Sequence, residues 1–289
     1  MANNFTLAKN YTELLDEVYT ASSVTADLTG DNSIVLPGKN ANEILYPQIS
    51  VSGLGDYDRN SGYTEGSVNL VWETAKFNYD RGTKILVDAM DDEETFHLAF
   101  GMAGSTLQRE KVAPEADAFT FATLASAPGI STLADCEIET VSEFLDALIE
   151  AKSKMDDDEV PEDGRILYAN STLLNSLMTL DSFQSKEILS FFDVIKKVPK
   201  SRFYTAIDLL DGRSVGEELG HYEKSAGAKD INFMIVHKAA VIKFDKHITG
   251  DVIPPSINTK NDAYIAKYRK YGIVDVYKNK AAGIFLCTQ

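Results

Sequence analysis

The sequence predicts an α+β fold in which an extended β-hairpin leads into a long helix and then a compact α/β unit. Three observations predict it. Apolar and polar residues alternate with period two on either side of a turn-rich loop between residues 44 and 90. A helical pattern then runs from Asp91 to about Ala125, roughly 34 residues and on the order of 50 Å at 1.5 Å each. Beyond residue 127 a strong helical stripe is interleaved with short apolar runs.

The elements follow in order. Residues 1–43 open with Leu7, Tyr11, Leu14, Leu15 and Val18 at helical spacing and continue into a polar stretch, which reads as an N-terminal arm in need of a partner surface. From Ile44, ILYPQISVS reads as a strand and GLGDYDRNSGYTEG as a loop. SVNLVWETAKFNYD then sets Val68, Leu70 and Trp72 on one face, and TKILVDAM adds a further strand to an extended loop of 44–90. Asp91, Asp92, Glu93 and Glu94 start the helix of 91–126, where carboxylates meet the partial positive charge of unbonded amides. Phe96, Phe100, Ala103 and Leu107 share a face, and Val112, Ala116 and Phe119 resume it after a slip in phase. Pro114 should kink the run, because it has no N–H to offer residue 110.

APG at 127–129 closes that helix, and an α/β unit of 127–246 follows. Thr140 and Glu143 have capping-box spacing ahead of the stripe Val141, Phe144, Leu145, Leu148 and Ile149. RILYAN reads as a strand, STLLNSLMTL as a short helix, and Phe203–Ile207 and Ile231–Val236 as strand candidates. AAVIKFDK, YRKYGIVDVY and AAGIFLCT supply strands that return after the break at Pro254 and Pro255.

Composition bounds the function. With 289 residues, 44% of them apolar and 25% charged, the chain can bury a sizeable core and belongs with ordinary soluble proteins. A formal net charge of −16 argues against binding nucleic acid along the chain. Copies lining a container would instead repel densely packed DNA. Cys136 and Cys287 lack CxxC spacing, so neither a disulfide framework nor a zinc ribbon is indicated, and a reducing cytoplasm fits. No signal segment and no run of ~18 apolar residues occurs, so no membrane partner is expected.

Residues 40–101, NANEILYPQISVSGLGDYDRNSGYTEGSVNLVWETAKFNYDRGTKILVDAMDDEETFHLAFG, resemble the loop and helix start of major capsid proteins from tailed phages and prophages of Gram-positive bacteria. REKVAPEADAFTFATLA, VPKSRFYT and INFMIVHKAAVI resemble later segments of the same family. The resemblance implies the tailed-phage capsid fold, with 91–126 carrying the spine helix of a peripheral domain, 127–246 an axial domain, and 247–289 the return strands of the peripheral domain. It implies a structural protein, not an enzyme, that self-assembles into hexamers and pentamers of an icosahedral shell around double-stranded DNA, enclosed without sequence-specific binding. The expected location is the virion, after assembly in the host cytoplasm. Many relatives carry a long N-terminal assembly domain that a protease removes; here the arm begins almost at Met1, so either a separate scaffolding protein directs assembly or the chain is the mature product. Met1 favours the former, and a portal protein is expected beside it. The same fold also builds encapsulin-like protein compartments, and a reading from another class is a cytoplasmic α/β enzyme with its acids in 130–245.

Assembly contacts are assigned to the extended loop, whose Trp72, Phe77, Tyr79 and Leu86 cannot all be buried by an isolated hairpin. The candidates are Asp56, Asp58, Arg59, Trp72, Phe77, Tyr79, Asp80 and Arg81, with Asp80 and Arg81 able to pair within the hairpin or across to a neighbour. Asp56–Gly62 resembles a calcium loop, but Ser61 and Ser67 stand where such a loop needs glycine and a bidentate acid, so a loop tip is the better reading and no metal is assigned. His97, His221, His237 and His247 show no ligand spacing, and no phosphate loop, nucleophile elbow or dinucleotide fingerprint occurs, so no cofactor or catalytic residue is assigned. Two basic clusters, Lys196, Lys197, Lys200 and Arg202, and Lys267, Arg269 and Lys270, read as solvated faces or acid-binding surfaces before DNA contacts.

Overall fold

A computed structural model describes residues 18–19, 22–30, 36–37, 42–60, 62–94, 98–179 and 183–289. The chain divides into a unit of Asp31–Asn78 and a larger one that combines Met1–Gly30 with Tyr79–Gln289.

The smaller unit is a three-stranded antiparallel sheet of β1 (Leu36–Pro37), β2 (Glu43–Val51) and β3 (Val68–Lys76). β2 and β3 pair without interruption from Glu43↔Lys76 to Val51↔Val68. Ser52 N–H donates to Ser67 O at 2.9 Å, and Ser67 N–H to Ser52 Oγ at 2.8 Å, so the loop leaves the ladder as a clean stem.

The larger unit corrects the expected length of the hairpin. β4 (Tyr79–Asp88) does not extend it; it pairs with β12 (Ala263–Val276) from Asp88↔Ala263 to Tyr79↔Gly272. Period-two alternation identifies a strand without naming its partner, and the break at Phe77 and Asn78 ends one ladder before the next begins. β12 also pairs with β11 (Val241–Ile253), with a bulge between Asp245 and His247. Gly272 faces that bulge, where a Cβ would lie 2.9 Å from Phe244 O, closer than a side chain tolerates.

The long helix is built from α1 (Ala89–Glu94), α2 (Leu98–Leu107), a π-helical turn over Gln108–Val112, and α3 (Ala113–Ala125), residues 95–97 lying outside the described ones. Pro114 falls in the first turn of α3, and the wide π turn immediately before it accommodates the missing N–H while Leu107, Val112 and Ala113 keep helical dihedrals.

Beyond it come β5 (Ser131–Leu133), α4 (Val141–Asp157), β6 (Arg165–Asn170), α5 (Ser171–Thr179), α6 (Phe183–Leu189) and β7 (Val194–Val198). A two-stranded ribbon of β8 (Ile207–Leu209) and β9 (Tyr222–Lys224) precedes β10 (Ile231–His237), and the chain ends on β13 (Ile284–Thr288). The expected strand at Phe203–Ile207 begins later, because a 3₁₀ turn at Lys200–Arg202 carries Phe203 into the core without ladder pairing.

The central sheet has the order β5-β13-β10-β6-β7. Its strands are apolar on both faces, and the period-two rule sorts them into two cores. Ile166, Tyr168, Met234, Val236, Ile284 and Leu286 meet Phe121 and Leu124 of α3 on one side. Leu167, Ala169, Phe233, Ile235, Phe285 and Cys287 meet Phe144, Leu148, Ala151 and Met155 of α4 on the other.

Candidate assembly surface

In the smaller unit the β2–β3 register places Pro47 opposite Trp72, Ile49 opposite Leu70, and Val51 opposite Val68. Directly opposed residues share a face, so these six side chains make one apolar patch. Five of them stay open to solvent: Ile49 is 61% exposed, Val51 68%, Val68 70%, Leu70 50% and Trp72 45%. The apolar display continues into the loop, where Leu54, Tyr57 and Tyr63 are exposed and the two tyrosine rings stand 4.8 Å apart. A contiguous exposed patch of this kind marks an interaction surface, whereas single exposed apolar residues do not.

The candidates named from the sequence divide between the two units. Asp56, Asp58 and Arg59 are exposed at the loop tip, where Asp58 and Gly62 exchange backbone hydrogen bonds and Asp58 Oδ1 accepts from Asn60 N–H at 2.9 Å. Trp72 lies in the apolar patch, and Phe77 is half-buried with its N–H on Asn42 O.

Tyr79, Asp80 and Arg81 belong to the larger unit, and all three have partners in their own chain. Tyr79 was expected to be exposed; it is buried, with its hydroxyl donating to Glu115 Oε1 at 3.1 Å, because β4 lies in a sheet beside α3 and not in the hairpin. Asp80 accepts from Arg269 Nε at 2.9 Å and from its terminal nitrogen at 2.7 Å, and those bonds hold its carboxyl below the usual range. Arg81 grips Glu115 at 2.7 and 3.2 Å and also donates to His221 O at 3.1 Å. Burial opposes ionisation of Glu115, yet His221, Arg81 and Tyr79 outweigh it, and the carboxyl titrates low. The basic clusters are similarly engaged: Lys196 pairs with Asp27, Lys197 with Asn175, Arg202 with Asp117 and Lys270 with Asp245.

A feature the sequence reading missed lies at Asp117, which is fully buried. Its carboxylate accepts from Ser23 Oγ at 2.7 Å, Val24 N at 2.9 Å, Thr25 N at 3.1 Å, Thr25 Oγ1 at 2.7 Å and Arg202 at 3.1 Å. Lys243 Nζ caps the same segment from Thr25 O at 2.9 Å and Oγ1 at 2.5 Å, while Leu28 enters the core. Within the expected arm, residues 22–30 therefore have their partner surface in the same chain. The signal was available in part, since Asp117 and Lys243 are charges set in apolar stretches, ADAF and VIKF.

A second surface surrounds a cavity of about 370 Å³ bordered by Arg81, Lys84, Lys111, Glu115, Arg213 and His221. The loop beside it exposes Val215 and Leu219 almost completely and is shaped by Asp211, whose carboxyl is pushed down to about 2 by the amides of Ser214 and Arg213. Among the described residues, no group of three or more His, Cys, Asp or Glu side chains could hold a metal ion. No described helix is long and apolar enough to cross a membrane.

No protein-family model matches the sequence, and no curated protein matches it. Solved structures do. The chain superposes on the virus-like particle from Pyrococcus furiosus with a TM-score of 0.61 at 11% identity, over 96% of this chain and 98% of that one. It matches Mycobacterium phage Che8 at 0.59 and 13%, over 92% and 90%, and the capsid of Staphylococcus phage Andhra at 0.56 and 10%, over 91% and 83%.

The chain has the tailed-phage capsid fold.

The helices over 89–94 and 98–125, the two-faced central sheet and the β2–β3 hairpin strands are thus parts of a capsid fold. Neighbours from bacterial phages, a cyanophage and an archaeon share this architecture, so the likeness does not single out the Gram-positive branch.

Proposed function

We propose that the chain is a structural major capsid protein that self-assembles into hexamers and pentamers of an icosahedral shell enclosing phage double-stranded DNA. The observation that carries this reading is the fold, shared over more than nine-tenths of the chain with Mycobacterium phage Che8 and the Andhra capsid. The apolar patch of β2 and β3 supports it, because a surface open in one chain gains burial once a neighbour covers it. A net charge of −16 fits a wall that encloses DNA without gripping it.

In this reading the hairpin of β2 and β3 with its loop, residues 43–76, reaches a neighbouring subunit, with Asp56, Asp58, Arg59 and Trp72 at the contact. The work of the chain is assembly, its location the virion after assembly in the host cytoplasm, and its further partners a scaffolding protein and a portal protein. Expression with and without the candidate scaffolding protein, followed by negative-stain imaging, tests the reading. Closed shells are expected, and a monomer that never assembles under either condition overturns it.

A second reading, an encapsulin-like shell around protein cargo, keeps the same fold, which the virus-like particle from Pyrococcus furiosus also shares. Nuclease-protected DNA in particles from infected or induced cells supports the capsid, whereas a co-purifying enclosed enzyme supports the compartment.

A further inference from the structure

Cys136 and Cys287 are far apart in sequence and meet at one end of the central sheet. β13 sets Cys287 beside Leu133 of β5 and Phe233 of β10, and the chain beyond β5 stays alongside it, with Cys136 N–H donating to Thr288 O at 2.9 Å. Asn232 Nδ2 donates to Cys136 O at 2.7 Å and so holds the Cys136 backbone against the start of β10. Both thiols are free, Cys136 packs against the apolar cluster that contains Cys287, and only Cys136 has access to solvent, Cys287 being fully buried.

We propose that Cys136 and Cys287 form a latent intrachain disulfide, open in a reducing compartment and closed when the protein meets a small oxidising disulfide. The exposed partner acts first. Cys136 gives up its proton and attacks one sulfur of a small disulfide such as oxidised glutathione, expelling one glutathione thiolate and leaving a mixed disulfide. Cys287 then loses its proton and attacks the Cys136 sulfur, expelling the second. Two protein thiols lose two electrons and two protons, and the small disulfide leaves as two thiols.

Burial raises the Cys287 thiol well above its ordinary range, which makes it a slow first attacker; in the second step the attack is intramolecular, and the high effective concentration of the neighbouring sulfur offsets its small thiolate fraction. Its neutral disulfide has no charge to desolvate. The bond ties the terminal strand to the segment after β5 and closes a loop of roughly 150 residues, a constraint that acts mainly on the unfolded chain. Under the capsid reading, the switch point is the exit of the shell from a reducing cell. The thiol chemistry itself requires no shell.

The test uses the purified full-length chain incubated with oxidised or reduced glutathione, then alkylated in denaturant and analysed by intact mass and peptide mapping. Expected after oxidation are loss of both titratable thiols, a mass lower by two hydrogens, and a peptide joining residues 136 and 287. The melting temperature should rise by about 5 °C and fall back with dithiothreitol. Cys136→Ser and Cys287→Ala should abolish all of these changes, and circular dichroism of the reduced variants confirms that they fold. A lasting glutathione adduct on Cys136, a link between two chains, or unchanged thiols overturns the proposal. Shell formation is imaged separately, so failure of the disulfide and failure of the capsid reading give different results.

Discussion

Lys243 shows how a single charge is held in this interior. It is buried, hydrogen-bonded to Thr25, and faced by Asp117, Asp245 and Lys270. Desolvation disfavours its charge, Lys270 adds repulsion, and attraction to Asp117 does not restore the balance, so its amine falls from 10.5 to about 8. The unfolded chain keeps that proton to about 10.5, whereas the folded chain sheds it near 8. Between those values the unfolded state binds more protons, so this group makes stability rise with pH, by at most ~1.4 kcal/mol per unit. Denaturant unfolding of the wild type and Lys243→Met at pH 7, 8, 9 and 10 checks the sign. The stability difference between them should shift in favour of the wild type above pH 8, and a flat difference contradicts the linkage. The sequence marks Asp117 and Lys243 as charges in apolar surroundings. It does not bring them together, because Ser23, Thr25 and Arg202 converge on the Asp117 carboxylate from distant parts of the chain and Lys243 joins them only through Thr25.

At the scale of elements, what is local was legible and what depends on distant pairing was not. The Thr140 cap and its Glu143 partner were readable from their spacing, and they form: Thr140 Oγ1 accepts from Glu143 N–H at 3.3 Å, and the Glu143 carboxylate accepts from Thr140 N–H at 2.9 Å. The stripe behind them packs Phe144, Leu148, Ala151 and Met155 onto the central sheet. Thr140→Ala should therefore destabilise the folded chain by about 1 kcal/mol, visible as a lower urea midpoint with an unchanged slope. A loss above ~4 kcal/mol would instead mean that the start of α4 carries tertiary contacts beyond its cap. β4 was the opposite case. Its alternation was plain, but its partner β12 lies at the other end of the chain, and no local signal distinguishes that neighbour from β3. The π turn before Pro114 was likewise invisible as such, since the sequence showed only a break in an otherwise helical run.

On the scale of the whole molecule, folding and assembly occupy different parts of the chain. The larger unit has buried cores of its own, while the β2–β3 strands show an apolar face that the isolated chain leaves open. Removing the loop should separate the two functions. Val51 and Val68 are paired residues, so deleting 53–66 leaves positions 52 and 67 as a two-residue connection. Ser52→Asn and Ser67→Gly in that deletion supply the turn that matches strand twist. This shortened chain should keep the circular dichroism and denaturant midpoint of the parent, because none of the described residues among those deleted is buried. It should nevertheless give no closed shells by negative stain, since Asp56, Asp58, Arg59 and the tyrosines of the tip are gone while every core residue remains. Normal shells from the shortened chain would move the assembly contact off the loop, to the Ile49, Val51, Val68, Leu70 and Trp72 face that the deletion leaves in place.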